Sequence, residues 1–119
     1  MLLLFLASIF AAPSTVDDLP PGWRLVSLPE GGELRYLPPG ASAADYPRHA
    51  LSRRIEGRTV LRLVVSPLGR ILDCRAIQSA GDAELDRRAC QLYRSRAQFK
   101  FNGVSRPQTF NAPIEWRIE

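Results

Sequence analysis

Residues Arg58 to Gln78 read Arg-Thr-Val-Leu-Arg-Leu-Val-Val-Ser-Pro-Leu-Gly-Arg-Ile-Leu-Asp-Cys-Arg-Ala-Ile-Gln, and no other stretch constrains the fold as much. Val60, Leu61, Leu63, Val64 and Val65 are aliphatic and mostly β-branched, which suits a pleated, largely buried surface. Pro67-Leu68-Gly69 is a turn signal, because proline presets φ and glycine tolerates the positive φ of a tight reversal. Two such runs joined by so short a connection pair as an antiparallel hairpin. Ser79-Ala-Gly81 then forms a loop, and Asp82 opens a helix.

The remaining elements arrange themselves around this hairpin. Asp45 to Gly57 reads as a short helix with Asp45 or Tyr46 at its cap, Pro47 in its first position and Gly57 as its stop. In the second helix Leu85, Ala89, Leu92 and Tyr93 form one apolar stripe, and Glu84 and Asp86 put negative charge in the first turn, where the helix dipole favours it. At the end of the chain Phe110, Ala112, Ile114, Trp116 and Ile118 alternate with Asn111, Pro113, Glu115 and Arg117, the pattern of a strand with one buried face. Pro113 cannot donate to a ladder, which puts this strand at a sheet edge. The expected architecture is α+β: a three-stranded antiparallel sheet packed against two helices, in the order helix, strand, strand, helix, strand.

Ahead of this domain, which spans 45–119, come two segments of different composition. Residues 1–12 are apolar and end in small residues, which reads as an export leader cut near Ala11 or Ala12. As a helix the run spans only about 18 Å, against a ~30 Å hydrocarbon core. No Lys or Arg precedes it, so either the terminal amine is its only charge or the true start lies upstream, which would permit an inner-membrane anchor. A short hydrophobic anchor and a buried core helix are the alternatives. Residues 13–44 are rich in Pro and Gly and read as a lead-in, within which Trp23–Leu28 and Glu33–Leu37 can form a small hairpin. A lone hairpin is marginal in water, so it must lean on the main domain. Cys74 and Cys90 are the only cysteines, and in an exported chain they are a disulfide pair. Closing a loop of about 16 residues stabilises by on the order of 3 kcal/mol. The alternative is two buried free thiols.

In order along the chain, Tyr46-Pro47 opens a helix, Ile55-Glu56-Gly57 precedes a strand, Gly69 turns a hairpin, and Ser79-Ala80-Gly81 and Leu85-Asp86 lead into a second helix before the alternating last strand. From Asp45 to Ile118 this resembles the C-terminal domain of TonB. The resemblance implies a periplasmic energy-transducing domain, which links a proton-driven inner-membrane motor to import through outer-membrane β-barrel receptors. Its partner would be a TonB-box-type receptor peptide, added as an extra strand to a free edge. The implied partner-binding residues are Tyr46, Pro47, Phe110, Asn111, Ala112, Pro113, Ile114, Glu115 and Trp116. The apolar run is shorter than TonB's membrane helix, and the lead-in lacks TonB's long Pro-rich spacer. A free-standing envelope module, structural or dimerising through the same edge without a transporter, is therefore the second reading.

Little points to an enzyme, a metal or a cofactor. His49 is the only histidine, Glu84 and Asp86 diverge on their helix, and Ser79-Ala-Gly81 is not the Gly-x-Ser-x-Gly of a nucleophile elbow. The formal charge is +4, with arginines spread among acids, which reads as solvated helix faces rather than a nucleic-acid surface and permits at most a peripheral contact with anionic lipid. Phe99, Phe101, Phe110 and Trp116 read as core.

Overall fold

The computed structural model describes residues 19–118, so the apolar run and its reading as an export leader lie outside the described residues. In chain order the elements are β1 (Arg24–Ser27), β2 (Glu33–Leu37), a 3₁₀ turn (Ala43–Asp45), α1 (Arg48–Ser52), β3 (Gly57–Val65), β4 (Ile71–Gln78), α2 (Ala83–Arg96), β5 (Gln98–Asn102) and β6 (Gln108–Trp116). The expected helix-strand-strand-helix-strand sheet is present as β4-β3-β6, antiparallel throughout.

Its centre is β3, because the alternation read from Arg58 onward resolves into two faces. Thr59, Leu61, Leu63 and Val65 are fully buried under the helices, and Arg58 and Arg62 are exposed. From β6, Ala112, Ile114 and Trp116 join that buried face, and from α2 come Leu85, Ala89, Leu92 and Tyr93. Each large side chain buried here contributes roughly 1.5–3 kcal/mol by leaving water. The disulfide Cys74–Cys90 is formed, with Cα atoms 6.0 Å apart, and it ties α2 to the outer strand β4.

The lead-in hairpin is also present, and it gains a strand that the sequence reading missed. β2 pairs on its far side with β5, so β1-β2-β5 is a second three-stranded sheet. The five residues Gln98-Phe-Lys-Phe-Asn102 alternate too briefly to stand out, and only the tertiary neighbour β2 makes them a strand. The second sheet joins the main core through aromatic rings: Tyr36 lies 5.9 Å from Phe99 and 5.7 Å from Phe110, and Phe99 lies 5.8 Å from Phe110. The hairpin therefore leans on β6, which supplies the support an isolated pair of strands lacks.

The first helix differs from its sequence reading at both ends. Pro47 is its N-cap rather than its first residue. Its stop comes at Arg54, which takes φ 55°, while Arg54 and Ile55 donate their N–H groups to the carbonyls of Leu51 and Ala50. This is a Schellman arrangement with arginine in the left-handed position that usually takes glycine. Gly57 instead opens β3, where a Cβ would fall 2.8 Å from the Ala80 carbonyl oxygen. Its lack of a side chain serves a close backbone approach rather than a helix end.

Asp45 holds the segment before α1 onto α2. Its carboxylate accepts from both terminal nitrogens of Arg96, at 2.7 and 3.1 Å, and from the Ser42 N–H at 2.9 Å. Arg88 Nε reaches the Asp45 carbonyl at 3.0 Å. The side-chain hydrogen bond from Arg96, then that from the Ser42 backbone, lower the Asp45 carboxyl to about 2, and Arg96 is raised in return.

Two outcomes follow. Arg54→Gly removes left-handed strain of about 1 kcal/mol, partly offset by glycine's freer unfolded chain, so a thermal melt should rise by a few degrees, whereas Arg54→Val should lower it. Because the folded Asp45 carboxyl lies below its ordinary value, its contribution is complete above pH ~4 and is lost as pH falls toward 2. The melting temperatures of the wild type and Asp45→Asn should accordingly differ at pH 5 and converge as the pH approaches 2.

Candidate functional site

With β3 in the middle, β4 and β6 are the outer strands of the main sheet. The backbone of β6 can be sorted by one residue. Pro113 stands opposite Val60 and has no N–H, so this pair cannot exchange hydrogen bonds, and the Pro113 carbonyl points away from β3. By the same alternation Thr109, Asn111 and Glu115 turn their N–H and C=O groups outward, and Phe110, Ala112 and Ile114 turn theirs toward β3.

That outer edge is not bare along its whole length. The fully buried Tyr93 donates its hydroxyl proton to the Pro113 carbonyl at 2.7 Å. Burial pushes the Tyr93 phenol well above its ordinary value, so it remains a donor. Beyond Pro113 the edge faces Pro38–Ala41 across a groove of about 490 Å³, whose rim includes Arg24, Arg58 and Arg117. The groove is a product of the second sheet, because Arg24 sits on β1 and Pro38 follows β2 directly.

The residues singled out from the sequence divide by what they can offer. Asn111, Pro113 and Glu115 lie on the accessible side of β6, with Asn111 and Glu115 exposed. Ala112, Ile114 and Trp116 are buried in the core, and Phe110 packs among the aromatic rings of the second sheet; the backbone groups of these four turn toward β3, so they support the strand and offer a partner neither side chain nor backbone. Tyr46 is also core: its ring stands edge-on to Trp116 with centroids 5.2 Å apart. Its hydroxyl is buried without a hydrogen-bond partner among the described residues, and burial raises its pKa. Pro47 begins α1 beside it. The structure thus joins Tyr46 to β6 through Trp116, on the core side of the strand.

Trp116 is held by a polar chain that the sequence reading missed. Its indole Nε1 donates to Thr59 Oγ1 at 3.1 Å, and Thr59 donates to Asp86 Oδ1 at 2.9 Å. The Ala80 N–H donates to the same oxygen at 3.0 Å, and the Ser79 hydroxyl donates to Asp86 Oδ2. The Ser79-Ala80-Gly81 and Leu85-Asp86 motifs are thereby one device, binding the loop, the helix and two strands. A single threonine in an aliphatic strand was the available signal. Asp82 caps α2 as expected, accepting from the N–H groups of Glu84 and Leu85 at 3.1 and 3.0 Å. His49, the sole histidine, is half-exposed but engaged: its ring nitrogens lie 2.8 Å from Asp82 and 3.1 Å from Glu84, tying α1 to α2.

The other outer strand, β4, presents Leu72 and Ile77, 55% and 44% exposed, beside its two register shifts. Among the described residues no His, Cys, Asp and Glu cluster could hold a metal ion, and no helix is long and apolar enough to cross a membrane.

A three-stranded antiparallel sheet with two helices on one face and an outer strand beside a groove defines an α+β domain of the kind that can dock extended chains at its edge. Residues 42–118 match the family described as Gram-negative bacterial TonB protein C-terminal, and the chain belongs to that family. It is a TonB-like energy-transduction domain of the transport class, from a non-enzymatic and envelope-associated family. No curated protein matches the chain significantly. The match begins after β2, so the lead-in hairpin lies outside it.

Thr59→Val should leave the indole N–H of Trp116 and one lone pair of Asp86 unpaired at a fully buried position. A loss of about 1–3 kcal/mol is expected. Urea titration should read it as a lower midpoint with an unchanged slope.

Proposed function

We propose that this domain binds an extended peptide segment of an outer-membrane transporter, a TonB-box-type sequence, by strand pairing along β6, as part of energy-dependent transport in the periplasm. The observation that carries the reading is the outer backbone of β6: Thr109, Asn111 and Glu115 direct donors and acceptors away from β3, and no backbone partner among the described residues takes them. Unpaired strand groups are a template for an added strand, and backbone pairing supplies affinity without demanding a particular sequence. The inward side chains of Ala112, Ile114 and Trp116 keep that strand rigid, so little ordering entropy is lost at the edge on binding. Tyr46 acts from behind, by packing on Trp116, and Pro47 follows it as the N-cap of α1. Dimerisation would use the same edge groups and compete with the peptide, without a transporter partner.

Amide NMR during titration of the purified protein with a TonB-box-type peptide tests this. The amides of Thr109, Asn111 and Glu115 should shift more than those of Phe110, Ala112 and Ile114, because the latter stay bonded to β3. No shift on β6 at millimolar peptide, or shifts confined to β4, would overturn the proposal. Loss of peptide shifts as protein concentration rises would instead favour self-pairing at the edge.

A further inference from the structure

The groove beside β6 has two unlike walls. On one side is the strand edge, where Glu115 offers its N–H and C=O outward in line with those of Asn111 and Thr109 farther along β6. On the other are Pro38 and Pro39, which carry no N–H, followed by Gly40 and Ala41. A segment in this groove pairs with β6 alone and meets the proline wall by contact. The backbone geometry thus admits a single extended strand; a helix, about 10–12 Å across, would turn its own bonded backbone inward.

The charge at the rim is also one-sided. Arg58 is engaged with Glu115, Nε to carboxylate 3.2 Å, so that pair largely neutralises itself. Arg24 and Arg117 are exposed and make no ion pair or side-chain hydrogen bond among the described residues. They approach from different elements, Arg24 from β1 and Arg117 from the end of β6. No other carboxylate lines the groove.

We propose that this groove selects an acidic extended segment, with Asp or Glu side chains meeting Arg24 and Arg117 while its backbone pairs with β6. The inference rests on the strand-pairing reading above and names the chemistry of the segment. Guanidinium groups favour carboxylates through paired N–H donors. Arg24 belongs to the hairpin outside the family match, so membership of the family does not by itself supply this selectivity.

The test compares three peptides of equal length and backbone, carrying two Glu, two Gln or two Lys at the flanking positions, by affinity and by β6 amide shifts. At low ionic strength the Glu peptide should bind about 10-fold tighter than the Gln peptide, and the gap should narrow as salt shortens the screening length. Arg24→Glu with Arg117→Glu should abolish the gap, while Arg106→Glu, an exposed charge outside the groove, should keep it. If the reversed pair fails to fold, Arg24→Gln with Arg117→Gln serves the same purpose. Equal binding of the Glu and Gln peptides with β6 shifts intact would overturn the acidic preference and leave strand pairing standing. Absence of β6 shifts with every peptide would overturn both. An equal loss in the Arg106 variant would show only diffuse attraction to a basic protein and overturn the assignment to this groove.

Discussion

Thr59 shares its face of β3 with Leu61, Leu63 and Val65, and it is fully buried. A hydroxyl there is tolerable only because both its donor and its acceptor roles are filled, by Asp86 and by the Trp116 indole. Through that one group the central strand, the last strand, the second helix and the loop before it are brought into register. Trp116 then provides the surface on which Tyr46 stands, which sets the start of the first helix. One end of the outer strand β6 is thus positioned by a buried polar chain.

At the other end of β6 the constraint is aromatic. Tyr36, Phe99 and Phe110 join the second sheet to the first, and Tyr93 crosses to the Pro113 carbonyl. Two elements therefore act on the outer strand: α2, through the Tyr93 hydroxyl, takes one acceptor from the edge, and the segment after β2 raises a proline-lined wall opposite the next few residues. A strand that would otherwise be open along its length is left with a bounded slot, which also limits the indiscriminate edge pairing that leads to aggregation.

Charge follows the same division of labour. Asp45, Asp82, Glu84 and Asp86 are all used internally, holding helices and loop ends through Arg96, His49 and backbone donors. Acids consumed in this way leave several arginines without partners, and the net positive charge becomes a local feature where two of them border the groove.

Periodicity and turn chemistry were enough to read β3, β4, β6, α2 and the lead-in hairpin, because each has a run long enough for period 2 or period 3.6 to show, or a Pro/Gly turn that forces reversal. The same residues carried the family resemblance and the edge position of Pro113. Other features depended on distance in the chain. β5 is a strand only because β2 lies beside it, and Gly57 is required by Ala80 more than twenty positions away, not by the helix it follows. Thr59, Tyr93 and Arg24 acquired their roles from partners on other elements. Local sequence determines which backbone conformations are cheap, and so it determined the elements and their faces. Which buried polar groups meet, and what stands across from an open edge, are set by packing, and only the tertiary structure could decide them.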